Sequence, residues 1–370
     1  MAHVRARGRA AGAKVNPMIR PDLEQLPPYV PGARNDTALK LSSNEVSQPP
    51  LPAAAEAMAK LAAGANRYPD MFAVGIREDL AAHLGVDFDQ VAVGTGSSAL
   101  CQQLVQVTCL ANEPAEVVFP WRSFEAYPIF ARVVGATPVP VPLTAEHGVD
   151  LDGLLAAITP ATKLIFVCNP NNPTGSTITA EAFDAFMAQV PAHVVVGLDE
   201  AYIEYFQGES TPLATEAIHR YQNLVGLRTF SKAYGLAGVR IGYAFGSEEI
   251  IAAMQKVAIP FGVSSVAQAG AQASLAAQDE LQLRVKETVV ERDRVEEALA
   301  EFGVPHSEAN HVWLPAANIA AAGLGTPQEL AARLAEHDVL VRAFDEGIRI
   351  TVTVAEETDK LLAAWEKATA

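Results

Sequence analysis

Three short apolar runs, each followed at once by polar residues, constrain the fold of this 370-residue chain more than any other feature. The run at 164–168 leads into the polar loop 169–175, the run at 194–198 leads into Asp199, and the run at 224–227 leads towards Lys232. Runs this short are typical of buried parallel strands, and helical patterns separate them. Their alternation predicts a wound α/β sheet with polar residues at the carboxyl ends of the strands, where such sheets bind ligands.

The C-terminal third of the chain predicts a smaller unit beside this sheet. From residue 281 apolar residues recur at helical spacing up to Gly303, which we expect to end the helix. Short strand patterns follow near 339–342 and 348–352, and a last helical pattern covers 359–368.

These patterns predict the following domain organisation. An extension at 1–17, either disordered or a remnant of cloning, precedes an N-terminal arm at 18–45, a large domain at 46–265 and a small α+β domain at 266–370.

The composition excludes several kinds of partner. With 27 basic and 43 acidic residues the net charge is −16, which argues against nucleic acids and anionic membranes because both require positive surface. No apolar run approaches the ~18 residues that a membrane helix needs. The three cysteines are an odd number without close pairs, which predicts neither disulfides nor a metal cage and fits a cytoplasmic protein.

Lys232 and Asp199 carry the most distinctive chemistry of the chain. Ser231 and Arg240 lie close to Lys232 in the sequence, and together these residues can surround a phosphate dianion. Asp199 ends an apolar strand, so its carboxylate is buried and needs a partner. A helix N-terminus is one such partner and a protonated pyridine nitrogen is another. Tyr202 either packs in the core or donates a hydrogen bond to the oxygen of that ring.

Two loops add further hydrogen-bond donors. The loop 169–175 has the composition of a simple turn, although the amide of Asn172 can also donate to a ring oxygen. Residues 94–98 read Gly-Thr-Gly-Ser-Ser and lie between a strand and a helix, where backbone N–H groups bind phosphate. They match neither the dinucleotide fingerprint nor a P-loop. A lysine, a carboxylate, ring-oxygen donors and a phosphate site are together what a pyridoxal phosphate enzyme requires.

In order and spacing, segments 169–175, 199–202 and 229–240 resemble the signature of fold-type I aminotransferases, and more narrowly the histidinol-phosphate aminotransferase family. Segments 41–45, 66–70, 340–342 and 348–352 are similar to this family too, and the likeness runs from about Met18 to the end of the chain. The resemblance implies a large domain with a mostly parallel, seven-stranded wound sheet and a smaller α+β domain. It also implies pyridoxal 5′-phosphate as the cofactor and no metal.

The resemblance assigns cofactor roles to individual residues. It implies that Lys232 bonds to the cofactor and moves the substrate proton, that Asp199 pairs with the pyridine nitrogen, and that Asn172 and Tyr202 hold the ring oxygen. The implied phosphate site comprises the amides of Ser97 and Ser98 together with Ser231 and Arg240, and Gly96 and Thr229 are further candidates for cofactor binding.

Other roles implied by the resemblance concern stacking, the substrate and a second subunit. Phe124 takes the place of the tyrosine that often stacks on the cofactor, and stacking needs only its ring face. Arg349 clamps the substrate α-carboxylate, and Asn44 in the matching arm segment is a candidate for substrate contact. Tyr68 reaches the cofactor phosphate of a neighbouring subunit, so the expected active unit is a homodimer with shared active sites.

Two substrate classes stay open at the level of sequence. The stretches 101–107 and 121–125 resemble the actinobacterial aromatic (phenylalanine) aminotransferase branch, and Trp121 would suit an aromatic ring. Arg342 and Tyr29 would suit a phosphate, although Arg342 can also meet the side-chain carboxylate of glutamate. We predict transamination between aromatic amino acids and 2-oxoglutarate. The alternatives are histidinol-phosphate transamination and, more distantly, a non-transaminating enzyme or regulator on the same fold.

Overall fold

The computed structural model describes Arg20, Leu26, Asn35, residues 37–109 and residues 113–370. The strands are β1 (Leu39–Lys40), β2 (Val91–Gly94), β3 (Glu116–Trp121), β4 (Thr137–Pro142), β5 (Thr162–Cys168), β6 (Val195–Asp199), β7 (Leu224–Thr229), β8 (Gly242–Gly246), β9 (His311–Pro315), β10 (Val339–Leu340), β11 (Arg342–Phe344) and β12 (Gly347–Thr351). The helices are α1 (Pro52–Ala62), α2 (Val74–Leu84), α3 (Ser97–Cys109), α4 (Tyr127–Val133), α5 (Leu151–Ala156), α6 (Ala180–Met187), α7 (Ala214–Ala217), α8 (Glu248–Val257), α9 (Ser265–Ala276), α10 (Gln278–Ala298), α11 (Ala316–Ala321), α12 (Pro327–Glu336) and α13 (Ala355–Thr369).

Within the described residues, seven strands form one sheet in the order β2-β8-β7-β6-β5-β3-β4. In this order, β7, β6, β5, β3 and β4 are parallel to one another. Strand β8 runs antiparallel to both β7 and β2. The sheet is buried on both faces. Along β5, Ile165 and Val167 pack into one core cluster and Leu164 and Phe166 into another, as the alternation of a pleated strand requires. The predicted mostly parallel, seven-stranded α/β sheet is confirmed.

The C-terminal part contains a three-stranded antiparallel sheet, ordered β11-β12-β9, with a third core cluster that includes Val312, Ile350 and Trp365. The N-terminal arm joins this part, because β1 pairs in parallel with β10. The predicted strand at 339–342 is two strands, β10 and β11, which belong to different sheets.

The ends of two predicted helices differ from expectation. The helix that begins near 281 ends at Ala298, and a 3-10 turn from Ala300 to Phe302 follows it. Gly303 caps that turn with a left-handed φ of 66°. The last helix begins at Ala355, with Glu356 and Glu357 in its first turn, where carboxylates interact favourably with the helix dipole.

The predicted domain boundaries stay predictions. The hydrophobic clusters show that the transition from the large-sheet core to the core of the three-stranded sheet occurs along α10. Ala271 in α9 and Val285 in α10 pack into the same cluster as the large sheet. Val295 and Leu299 pack into the cluster of the three-stranded sheet.

The three cysteines, Cys101, Cys109 and Cys168, are buried and free. Among the residues described above, no helix combines the length and the apolar character that crossing a membrane would require. The same residues contain no group of three or more His, Cys, Asp or Glu side chains arranged to hold a metal ion.

Candidate active site

A cavity of about 490 Å³ lies at the carboxyl ends of the central strands. Cys168 at the end of β5, Asp199 at the end of β6 and Thr229 at the end of β7 all line it. This is the edge at which wound sheets bind ligands, because the loops that follow parallel strands meet there. The structure brings together most of the predicted site residues: Ser97, Ser98, Phe124, Asn172, Asp199, Tyr202, Thr229, Ser231, Lys232, Arg240, Arg342 and Arg349 all line the cavity.

Lys232 extends into this cavity from the loop after β7. Its Nζ donates a hydrogen bond to the carbonyl oxygen of Ser43 at 3.2 Å and lies 5.8 Å from the ring centroid of Tyr202. Burial, helped by the charges of Arg349 and Arg240, lowers the pKa of the Lys232 amine to about 7. A substantial fraction of this amine is therefore neutral near neutral pH, which is the form that acts as a nucleophile or a base.

Asp199 is a buried carboxylate, only 3% exposed, at the wall of the same cavity. Its Oδ2 accepts a hydrogen bond from the hydroxyl of Tyr127 at 2.7 Å, and its Oδ1 accepts one from the backbone N–H of Ala201 at 3.2 Å. Burial raises the pKa of Asp199 to about 6, although both hydrogen bonds oppose the shift. The 3-10 turn that follows has Tyr202 at its N-cap, so the structure does not support the helix-cap explanation of Asp199.

Tyr127 is a partner of the site that the sequence did not reveal. It lies in α4, and its ring stacks on Phe166 of β5 with 4.4 Å between centroids and 5° between planes. This packing aims the hydroxyl at Asp199. No local motif marks Tyr127, because the contact joins residues 72 positions apart.

Three segments converge where the sequence predicts phosphate binding. Ser97 and Ser98 begin α3 and line the cavity, so the free N–H groups of that helix start are near its wall. Arg240 Nη1 donates hydrogen bonds to the Oγ of Ser231 at 3.3 Å and to the carbonyl of Ala237 at 2.9 Å.

Two glycines allow these segments to approach one another. Gly96 has a left-handed φ of 82°, and a Cβ atom there would lie 2.4 Å from Nη2 of Arg240. A Cβ atom on Gly242 of β8 would lie 2.5 Å from the backbone nitrogen of Ser97. Gly96 does not line the cavity itself, but it creates the space that the guanidinium of Arg240 occupies.

Asn172 and Tyr202 present polar groups to the cavity that are already oriented by neighbours. The Oδ1 of Asn172 accepts a hydrogen bond from Nη1 of Arg349 at 2.6 Å, which leaves its amide N–H groups for a ligand. The hydroxyl oxygen of Tyr202 accepts from Nδ2 of Asn44 at 2.9 Å, which leaves the hydroxyl hydrogen to donate elsewhere.

The other asparagines of the loop 169–175 shape the turn itself. Asn169 donates to Thr211 and accepts from the N–H of Ile178, and Asn171 donates to Thr174 and accepts from Ser123. The turn composition and the ligand-binding asparagine therefore coexist in one loop.

Arg349 and Arg342 occupy directly opposite positions on the antiparallel strands β12 and β11. Directly opposite residues project from the same face of a sheet, and both side chains line the cavity. Nη2 of Arg349 donates to the carbonyl of Ser42 at 2.6 Å. Nη2 of Arg342 lies 2.9 Å from Oε2 and 3.2 Å from Oε1 of Glu125.

Some predicted substrate residues lie elsewhere. Asn44 is buried behind Tyr202 and does not line the cavity, so its substrate contact stays a prediction. Trp121 ends β3 outside the cavity lining, and the guanidinium of Arg122 lies 4.2 Å from its ring centroid. The apolar wall of the cavity instead includes Phe124, Ile129 and Phe130, of which the last two were not predicted. Tyr29 lies outside the described residues.

Tyr68 does not line the cavity of its own chain. Its side chain is 83% exposed and contacts Phe261, with 4.6 Å between ring centroids. Other large apolar side chains near it in the sequence or across this contact are also exposed: Met71, Phe72 and Ile259. The contact of Tyr68 with a second subunit therefore stays a prediction that this exposed apolar surface favours.

Comparisons with known proteins agree on one family. The family model described as "Aminotransferase class I and II" matches residues 36–364. The aromatic amino acid aminotransferase of Corynebacterium diphtheriae is 63% identical over 94% of this chain and 99% of its own length. The protein of the same name from Rhodococcus jostii is 51% identical over 94% of this chain and 95% of its own.

A solved structure extends this likeness to three dimensions. The histidinol-phosphate aminotransferase of Sinorhizobium meliloti, solved in complex with pyridoxal-5′-phosphate, superposes with a TM-score of 0.85 at 29% identity. The superposition covers 96% of this chain and 98% of the other.

Proposed function

We propose that this chain, which belongs to the class I and II aminotransferase family, transfers the amino group of aromatic amino acids to 2-oxoglutarate. The proposed cofactor is pyridoxal 5′-phosphate. The family resemblance predicted from the motifs is confirmed by the match over residues 36–364. The observation that carries the proposal is that Lys232, Asp199 and Arg349 line one cavity at the carboxyl ends of the central strands. Burial there lowers the pKa of the Lys232 amine to about 7 and raises that of the Asp199 carboxyl to about 6, and such shifts in a cleft are typical of catalytic sites.

The residues of the cavity fit the cofactor. Asp199 is a buried carboxylate whose hydrogen-bond donors among the described residues, the Tyr127 hydroxyl and the Ala201 N–H, are neutral, so a protonated pyridine nitrogen would stabilise it. The start of α3 and the guanidinium of Arg240 offer N–H donors to a phosphate, and Gly96 keeps the space for them open. Phe124 supplies a ring face, and Asn172 and Tyr202 supply donors for the ring oxygen.

When bound, pyridoxal phosphate supplies a conjugated ring that accepts the electron pair released at the substrate Cα. The protein contributes orientation and proton transfer. Arg349 binds the α-carboxylate through its guanidinium, whose planar geometry allows a bidentate ion pair. Asp199 keeps the proton on the pyridine nitrogen. The Nζ of Lys232 would take the proton from the substrate Cα and deliver it to the C4′ carbon of the cofactor.

The relatives and the walls of the cavity both support a substrate with an aromatic side chain. The two relatives described above, at 63% and 51% identity, are named aromatic amino acid aminotransferases. Phe124, Ile129 and Phe130 form an apolar wall that suits an aromatic ring. Arg342 would then meet the distal carboxylate of glutamate or 2-oxoglutarate, the other substrate pair of the reaction.

A second candidate function is histidinol-phosphate transamination, which one observation favours. Arg342 is a cation in the substrate cavity and suits a phosphate, and the Sinorhizobium meliloti structure belongs to an enzyme of that name. That structure shares 29% of its residues with this chain, against 63% for the Corynebacterium diphtheriae protein. The higher identity favours the aromatic substrate.

The proposal includes a homodimer with shared sites and a cytoplasmic location. The exposed apolar surface around Tyr68 and Ile259 supports a subunit interface, because soluble proteins rarely leave such patches uncovered. The three free, buried cysteines support a reducing compartment.

A substrate panel tests the proposed function. With 2-oxoglutarate as acceptor, we expect kcat/KM to be higher for phenylalanine or tyrosine than for histidinol phosphate. The Lys232→Ala variant, prepared in the same way, gives the background rate, and conversion of the bound cofactor by glutamate alone checks the amino-transfer half-reaction by absorbance. If histidinol phosphate is preferred over every aromatic amino acid, the substrate class is wrong and the aminotransferase assignment stands.

A further inference from the structure

The ion pair between Glu125 and Arg342 lies in the wall of the substrate cavity. Glu125 belongs to the turn between β3 and α4, and Arg342 begins β11, so the pair joins segments 217 positions apart. Both carboxylate oxygens approach the same nitrogen, Nη2, at 2.9 and 3.2 Å. The two side chains are 14% and 28% exposed, for Arg342 and Glu125 respectively. Both side chains line the cavity, so an incoming anion can reach the guanidinium and compete with the carboxylate for it.

The position of Arg342 explains why a counterion is needed there. Arg342 and Arg349 are directly opposite on β11 and β12, and like charges at such positions destabilise a sheet. Glu125 offsets this repulsion. It also provides an opposite charge for Arg342 when an uncharged side chain of the substrate covers the guanidinium, which lowers the cost of burying that charge.

The proposed reaction requires one cavity to accept two different side chains in turn. An aromatic ring needs a wall without an unpaired charge, whereas 2-oxoglutarate carries a distal carboxylate. We propose, on the basis of the function proposed above, that Glu125 is the residue that makes both possible. Its carboxylate occupies Arg342 when the substrate is aromatic and gives Arg342 up to the distal carboxylate of 2-oxoglutarate or glutamate.

The same carboxylate selects against substrates that end in a phosphate. A doubly charged group at Arg342 is repelled by Glu125 about twice as strongly as a single carboxylate at the same distance, since Coulomb energy scales with charge. Glu125 thus makes the cavity tolerant of a monoanionic distal group and unfavourable to a dianionic one.

Binding of unreactive ligands to the holoenzyme tests this role. The probes are 3-phenylpropionate and glutarate, which resemble the two substrates but lack the amino and keto groups, and calorimetry gives their Kd values. We expect Glu125→Gln to tighten glutarate by roughly tenfold and to weaken 3-phenylpropionate by roughly threefold, magnitudes typical of one charge near a ligand. The third probe is 4-phosphonobutyrate, at a pH where its phosphonate is doubly ionised. Its affinity should increase by a larger factor than that of glutarate.

Glu346→Gln is the matched control. Glu346 pairs with Arg122, with 2.8 Å between Oε2 and Nη2, and its side chain is 41% exposed. The substitution removes the same charge from a neighbouring pair that does not line the cavity. A shift of the glutarate to 3-phenylpropionate affinity ratio beyond that of Glu346→Gln, in favour of glutarate, supports the proposal. A shift no larger than the control overturns it.

Combining the substitution with Arg342→Ala checks that Glu125 acts through Arg342. In an Arg342→Ala background, Glu125→Gln should leave the preference for glutarate over 3-phenylpropionate unchanged within twofold, because the group that Glu125 masks is gone. Persistence of the full shift would overturn the proposal. These probes bind without turnover, so the result does not depend on the substrate panel, and an inactive wild-type enzyme would refute the proposed function separately.

Discussion

Lys232 and Asp199 show how burial adjusts chemistry at the scale of single residues. The cavity wall removes water from both groups, so the amine loses affinity for its proton and the carboxyl gains affinity, and their pKa values are about 7 and about 6. An exposed lysine and an exposed aspartate would lie roughly six units apart. Near neutral pH the amine of Lys232 is therefore about half neutral, whereas the carboxyl of Asp199 is mostly ionised.

The shifted pKa of Lys232 predicts an unusual pH dependence of its reactivity in the cofactor-free protein. Acylating reagents attack the neutral amine, so labelling of Lys232 by trace acetic anhydride should rise with pH around a midpoint of about 7. Quantitative mass spectrometry of the Lys232 peptide measures it, with Nα-acetyl-lysine amide in the same tube as the internal standard. A midpoint equal to that of the standard, roughly 10.4, would contradict the burial argument.

At this scale the sequence identified the residues but not their partners. Lys232, Asp199 and Arg240 were predicted from local patterns of charge and apolar residues. Tyr127 and Glu125 were not assigned as partners of Asp199 and Arg342. Their contacts span 72 and 217 positions of the chain, and no short-range pattern contains such a contact.

At the scale of elements, the proposed phosphate site depends on how closely the loop before α3 approaches the loop after β7. Gly96→Ala should disturb this approach twice, through its φ of 82° and through a Cβ atom 2.4 Å from Arg240 Nη2. We expect a loss of about 1 kcal/mol in stability from the left-handed backbone. We also expect at least a roughly tenfold loss of cofactor affinity from displacement of the guanidinium, the loss of one charge-assisted hydrogen bond.

Gly135→Ala separates these two effects. Gly135 has a φ of 83°, and a Cβ placed on it would meet no atom of the described residues within 4 Å. Thermal unfolding and spectroscopic titration of the cofactor-free protein should show similar stability losses for the two variants and a loss of affinity for Gly96→Ala alone. Equal cofactor affinities would show that Arg240 adjusts without cost.

The N-terminal arm is the element that connects the two units at the site. Asn44 has a left-handed φ of 54°, and its side chain donates to the hydroxyl of Tyr202 and to Nδ1 of His311. Burial lowers the pKa of His311 well below its usual value, so the neutral ring can accept that bond. Thr351 completes the set by donating to Oδ1 of Asn44 at 3.0 Å. The arm thereby fixes the hydroxyl of Tyr202.

At the scale of the whole molecule, the location of Tyr68 predicts complementation between subunits. Tyr68→Phe and Lys232→Ala subunits should each have low activity alone. If Tyr68 acts in the site of its neighbour, a mixed dimer has one site with both defects and one site with neither. The intact site should restore about half the activity of a wild-type dimer.

The measurement is the steady-state rate of the mixture after subunit exchange, which differently tagged subunits verify. Mixing each variant with itself under the same conditions is the control. Activity no higher than that of the separate variants, in samples that contain the mixed dimer, would refute the shared-site model.

The sequence by itself determined the fold class and predicted the candidate cofactor residues, because their signals are local. A buried strand is a short apolar run, and the polar residue that follows it marks the ligand-binding edge. The tertiary structure decided what required two distant segments to meet. It divided the predicted strand at 339–342 between two sheets, moved Trp121 out of the cavity and placed Glu125 on Arg342. Side-chain partners and pKa shifts arise from burial and proximity, and folding sets these only when the whole chain packs together.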